Sequence, residues 1–255
     1  AEAPADGMWA QCQRMHDFFL REMADNADIV RHCRTGGEVD VTVVEGRVAA
    51  LLSIEGADLI DCDVHKIETV SGWGVRLLNP VWNRANVLSG TNAEEPERGL
   101  SAEGRDFIHV LEEHEIYPDV SHLSDAGFWD LVRMAKRPIV ASHSNARAVC
   151  PHRRNLTDDQ FRAIRDLGGV VGLNLYLDFV GQPTMDALAA HVEHFLNLNG
   201  EKTVCLGGDL DGCEALAAGM TGMQDAPKLY DALKARGYSE ALLEDIFWNN
   251  LRRLI

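Results

Sequence analysis

Glu55, His122 and His143 each stand where a run of apolar residues stops, and a second carboxylate, Asp209, stands in the same kind of place. Two imidazoles and a carboxylate are the donor set of hydrolytic zinc sites that keep one position for water. Zinc lowers the pKa of such a water to about 7 and polarises a substrate carbonyl. A carboxylate in the position of Asp209 can then move a proton between the attacking water and a leaving amine. The same residues have a plainer reading, with Glu55 capping a helix and both histidines hydrogen-bonded in a core. Spacing alone leaves the two readings level.

These residues need strands to carry them. The apolar runs are Val48 to Ile54 before Glu55, Arg76 to Val81 before Trp82, Ile116 to Val120 before Ser121-His122, Pro138 to Ser142 before His143, Gly169 to Leu175 before Tyr176, and Thr203 to Gly208 before Asp209. Continuous runs of five to seven apolar residues separated by helices are the signature of buried parallel strands. Helices are expected over Asp125 to Met134, Asp158 to Leu167, Met185 to Leu198 and Ser239 to Ile246, each opening near Asp, Thr or Ser. A further amphipathic helix is marked by Met8, Cys12, Met15, Phe19 and Met23, and Gly36-Gly37 is expected to end that helical region. The fold class expected is α/β. A (β/α)8 barrel gathers the ends of many strands at one mouth, whereas an open sheet joins at most two of these residues at its switch point. No G-x-G-x-x-G follows a strand, and no G-x-x-x-x-G-K-[ST] occurs.

Composition narrows the partners. The chain has 255 residues, and its 40 acidic against 24 basic side chains give a formal charge of -16. That charge repels phosphate backbones, and the densest basic pairs are only Arg153-Arg154 and Arg252-Arg253, so nucleic acid is not expected as a partner. No apolar run approaches the ~18 residues of a membrane span, and Ala1 to Gly7 are neither basic nor apolar enough for a signal peptide. The six cysteines form no C-x-x-C pair and mostly sit in apolar or helical stretches, which points to reduced thiols and a cytoplasmic setting.

Several short words then occur in order: Ser53-Ile54-Glu55-Gly56, Gly99-Leu100-Ser101 with Gly104, Asp119-Val120-Ser121-His122, Ala141-Ser142-His143-Ser144-Asn145, Arg153 to Asp158, and Gly207-Gly208-Asp209-Leu210-Asp211-Gly212. This string resembles the renal-type membrane dipeptidase family of the amidohydrolase superfamily, from about residue 8 to the end. The resemblance implies a barrel whose mouth holds two zinc ions, and zinc-dependent hydrolysis of dipeptides by metal-activated hydroxide. It makes Glu55 the bridging carboxylate, His122 and His143 the histidines of the second metal, and Asp209 the acid/base. It makes Arg154 the residue that grips the dipeptide's terminal carboxylate, a task that suits a bidentate guanidinium. Tyr176, in Asn174-Leu175-Tyr176, matches a pocket-lining position. The partner implied is a small peptide, with a homodimer left open.

Two departures accompany the likeness. The family opens with His-x-Asp at the end of its first strand, and this sequence contains no His-x-Asp. Six strands are legible where a barrel needs eight, and only Val39 to Val44 could add another before Glu55. The expectation is therefore a single metallo-dipeptidase-like barrel domain over 1–255, with one or two N-terminal strands missing or atypical and one metal site readable. Trp82 is the second departure, since it stands at a substrate-facing strand end where family members carry a histidine. Two rival readings stay open: another amide or lactone hydrolase on the same scaffold, and a catalytically silent binding homologue without the His-x-Asp ligands.

Other ligand-rich words are discounted. His109 and His114 are five apart, which puts them ~140° apart around a helix. His191 and His194 read as part of an ordinary amphipathic helix, and Asp63 as a cap within Asp61-Cys62-Asp63-Val64-His65. Asp209-x-Asp211-Gly212 lacks the remaining ligands of a calcium loop.

Overall fold

The spacing of apolar residues near the N-terminus does produce a helix, α1 (Met8–Asp25). Cys12 is buried on it, and Trp9 and His16 both lie flat on Trp73, at ring distances of 5.3 and 4.1 Å. The computed structural model describes residues 4–216 and 219–255, so part of the Ala1 to Gly7 segment lies outside the described residues. The chain divides into two compact units, the first running to Lys136 and taking in Ile255, the second spanning Arg137–Leu254.

In the first unit a strand that the sequence did not announce, β1 (Val30–His32), pairs in parallel with β2 (Val48–Ala50). Between them, Gly36-Gly37 open a helix instead of ending one, and the stretch expected as an extra strand is α2 (Gly36–Val44). The cause is local: the Thr35 hydroxyl accepts the N–H of Glu38 at 3.3 Å, and the Glu38 carboxylate accepts the N–H of Arg34. A cap of this kind contributes about 0.5–2 kcal/mol toward the helix, against the few tenths per residue by which valine disfavours it.

The run Val48 to Ile54 is also not one strand. It breaks at Leu51, and β3 (Leu52–Glu55) joins a second parallel sheet in the order β3-β4-β5, with β4 (Val75–Asn79) and β5 (Tyr117–Pro118). α3 (Ile67–Trp73) leads into β4, and α4 (Ala102–Glu113), capped by Ser101, leads into β5. α5 (Asp125–Met134) follows, capped by Ser124.

The second unit holds a third parallel sheet in the order β6-β7-β8: β6 (Val140–Ala141), β7 (Val170–Leu173) and β8 (Val204–Leu206). Every residue of β6 and β7 is buried, as expected of strands written as unbroken apolar runs. The strands approach very closely at their ends. A Cβ at Gly172 or Gly207 would meet the Ser142 carbonyl oxygen at 2.0 or 1.8 Å, so only glycine fits either position. α6 (Asp158–Asp166) starts with a complete capping box between Thr157 and Gln160. α7 (Leu177–Val180), α8 (Met185–Asn197), α9 (Ala226–Ala235) and α10 (Glu240–Glu244) follow, the last continuing as a single π-turn over Asp245–Asn249.

Among the described residues the sheets are all parallel and alternate with helices, an α/β fold. All six cysteines are free, and burial pushes the Cys62 and Cys205 thiols up to about 12, consistent with their reading as small hydrophobes. No helix among these residues is long and apolar enough to cross a membrane.

Candidate metal and substrate site

In the first unit, register brings the candidates to one end of one sheet. Glu55, the last residue of β3, pairs with Asn79, the last of β4, while Leu78 pairs with Pro118. The chain beyond β5 therefore turns at the same level. That turn is built by Asp119, whose Oδ1 accepts both the N–H of Ser121 at 3.0 Å and its hydroxyl at 2.7 Å. His122 emerges from it and is buried, its Nε2 lying 3.0 Å from Glu55 Oε1. Asn79, on the Glu55 face by register, is buried, and its side-chain nitrogen has no partner among the described residues. Trp82 lies beside Glu55 in a different sense. A Cβ at Gly56 would come 3.1 Å from the Trp82 Cβ, so the tryptophan rests on the backbone where Gly56, at φ 96°, leaves the strand. Its side is 48% exposed, which suits a rim residue.

In the second unit the organiser is a residue to which the sequence reading gave no role. Asn174, fully buried just after β7, donates from Nδ2 to Asp209 Oδ2 at 2.9 Å and to the His143 carbonyl at 3.4 Å. Its Oδ1 accepts the N–H of Tyr176 at 2.7 Å. Asn174 thus ties together His143, Asp209 and Tyr176. His143 is buried, and its Nδ1 faces the Ser142 hydroxyl at 2.7 Å. That contact orients the ring. Asp209 has φ 54°, a left-handed conformation uncommon for any residue but glycine, which turns its carboxylate back toward Asn174.

Arg154 lies in the same unit, three residues before the Thr157 cap, and is 8% exposed. Its guanidinium carbon stands 5.3 Å over the Phe179 ring, and its main-chain N–H donates to His152 Nδ1 at 3.2 Å. His152 in turn packs on Phe179 at 4.6 Å, and Tyr176 meets the same ring edge-on at 4.9 Å. Burial, and then the Arg153 and Arg154 charges, lower the His152 pKa, so the ring stays a neutral acceptor. A hydrogen bond to Asp178, followed by burial, raises the Tyr176 pKa. Neither His152 nor Phe179 was visible as a candidate, because each acts on Arg154 through a fold contact.

The discounted residues have partners of their own. His191 is buried and bonded at both nitrogens, to the Ala146 N–H at 3.1 Å and the Val180 carbonyl at 3.1 Å. His194 pairs with Asp158, His109 with Glu113, and the Asp63 carboxylate caps His65.

Parallel strand–helix units that present carboxylate and imidazole donors at the strand ends mark the class of metal-dependent hydrolases. The chain belongs to the membrane dipeptidase family, peptidase family M19, whose sequence model matches residues 6–255, and it is by that membership a metallo-dipeptidase. It is 34% identical over 265 residues to an uncharacterized protein in the pqqA 5′ region of Klebsiella pneumoniae, covering 99% of this chain and 96% of that one. Further curated relatives are longer, and the chain spans between 47% and 60% of their length. Among solved structures, dipeptidase AC, a metallo peptidase of family M19, superimposes with a TM-score of 0.88 at 32% identity, covering 95% of this chain and 75% of the other. A metallo peptidase from Rhodobacter sphaeroides, liganded with a phosphinate mimic of the dipeptide L-Ala-D-Ala, gives 0.86 at 32% identity, covering 93% and 71%.

Proposed function

We propose that this chain hydrolyses dipeptides at a zinc centre held by Glu55, His122 and His143, with Asp209 moving the proton and Arg154 binding the terminal carboxylate. The observation that carries the reading is the facing of Glu55 Oε1 and His122 Nε2 at 3.0 Å at the end of parallel strands. The donor chemistry fits a divalent metal: one carboxylate oxygen and two imidazole nitrogens, with the His143 Nδ1 already engaged by Ser142. The unpartnered amide of Asn79 beside Glu55 is a further polar group that a bound ligand or its water would satisfy. On the family likeness we also propose that the parallel strands close into a (β/α)8 barrel.

Zinc, when bound, supplies a Lewis acid that acidifies water and polarises the scissile carbonyl. The chain's own residues do the rest. Asp209 takes a proton as the water oxygen adds to the carbonyl carbon, and returns it to the amine nitrogen as the carbon–nitrogen bond breaks. Arg154 offers two parallel N–H donors to the substrate carboxylate, its guanidinium packed on Phe179. Tyr176 and Trp82 line the pocket.

The Rhodobacter relative's ligand sets the first substrate panel, L-Ala-L-Ala and L-Ala-D-Ala, each with its C-terminal amide. Release of free amino acid that stops on chelation and returns with zinc supports the proposal. Turnover that ignores chelation refutes it, and zinc binding without turnover of any peptide supports a silent binding homologue.

A further inference from the structure

Asn174 is held more tightly than a packing residue needs. Its side-chain oxygen is taken by Tyr176 and its nitrogen by Asp209 and the His143 carbonyl. Its main chain is clamped on both sides by one residue: its N–H donates to Asn145 Oδ1 at 3.0 Å, and its carbonyl accepts from Asn145 Nδ2 at 3.0 Å. Both asparagines are fully buried. The amide that faces Asp209 is therefore held through its side-chain oxygen, its side-chain nitrogen and both main-chain groups. Among the described residues, Asn174 Nδ2 donates to the Asp209 carboxylate, and it reaches Oδ2. Oδ1 turns to the Gly212 side, where a Cβ on residue 212 would come within 2.2 Å of it.

We propose that Asn174 is a positioning residue for Asp209: it occupies Oδ2, fixes the rotation of the carboxylate and leaves Oδ1 as the oxygen that accepts and returns the proton. A carboxylate oxygen that already accepts an N–H bond is the poorer base of the pair, so one bond selects both the atom and its direction. The inference rests on the reading of Asp209 as the proton carrier, and it adds a residue that never touches substrate.

The test is a double-mutant cycle on the zinc-loaded protein, using Asn174→Ala and the near-isosteric Asn174→Leu, which keeps the volume but removes the donor without adding a charge. Each is made alone and with Asp209→Asn. Loss of one hydrogen bond to a charged group should lower kcat by about 10- to 100-fold in either single variant, with KM changed by less than about threefold. In the Asp209→Asn background the same substitutions should change kcat by less than about threefold, because no carboxylate remains to be aimed. A second readout is independent of turnover: the Asn174 side-chain amide resonances should move in Asp209→Asn and stay in place in Asp211→Asn. Unchanged kcat in a folded Asn174 variant, additive losses in the cycle, or amide resonances indifferent to Asp209→Asn overturn the inference. Failure of both Asn174 variants to fold assigns the residue to the framework and overturns it too. If Asp209→Asn alone keeps full kcat, the underlying reading of Asp209 has failed, a result distinct from additivity.

Discussion

Arg154→Lys isolates what the guanidinium contributes beyond its charge. Arg154 is 8% exposed, and its guanidinium carbon lies 5.3 Å over the Phe179 ring, so packing restricts the side chain before substrate arrives. Lysine keeps the charge and one hydrogen bond but loses the second bond to the carboxylate. A hydrogen bond to a charged group contributes about 1.5–3 kcal/mol, so kcat/KM for a dipeptide should fall about 10- to 150-fold. Lost stacking on Phe179 removes about 0.5–1 kcal/mol more, but it does so whatever the substrate. The comparison that separates the two effects is the C-terminal amide of the same dipeptide, which has no carboxylate to grip. Steady-state kinetics on both should give a loss at least about tenfold larger for the free acid, expressed mainly in KM. Equal losses on the acid and the amide would refute the carboxylate-binding role and leave Arg154 as a packing residue.

Asp209→Asn should lower kcat by about two to four orders of magnitude with zinc content and melting temperature preserved, and Asp211→Asn on the same loop should not; comparable losses in both would assign the effect to loop geometry or local field. Gly207→Ala forces a Cβ to 1.8 Å from the Ser142 carbonyl, so thermal melting should show a loss of about 1–3 kcal/mol or more, and an unchanged melting temperature would contradict the close strand approach. Thr157→Ala removes the capping box of α6 and should cost about 0.5–2 kcal/mol by denaturant titration, leaving KM for dipeptides within about twofold.

Much of the strand framework is written in the chain because buried parallel strands read as unbroken apolar runs, and the polar residue ending each run stands out against them. The places of Glu55, His122, His143 and Asp209 at or just beyond strand ends are legible for that reason, and so are α5 and α8, whose Ser124 and Thr184 caps precede periodic segments. β1 was not legible, since Ile29 and Val30 are followed at once by Arg31 and the strand is defined by its pairing with β2. Val39 to Val44 looked like a strand because its β-branched residues alternate, yet the Thr35 cap and the buried spacing of Val39 and Thr42 make it a helix. Asn174 carries no charge and no motif of its own. Its importance lies in a bond to a residue 35 positions away, which local sequence does not record.

The central claim is that Glu55, His122 and His143 hold the metal on which turnover depends. The most direct test is elemental analysis of the purified chain after stripping and reloading with zinc, alongside Glu55→Gln, His122→Ala and His143→Ala, with dipeptide turnover measured on the same samples. The expected result is at least one zinc per wild-type chain, a fall in zinc content in each variant that still melts cooperatively, and turnover that tracks zinc across all samples. Zinc content unchanged in all three variants, or turnover undiminished in the stripped protein, would contradict it.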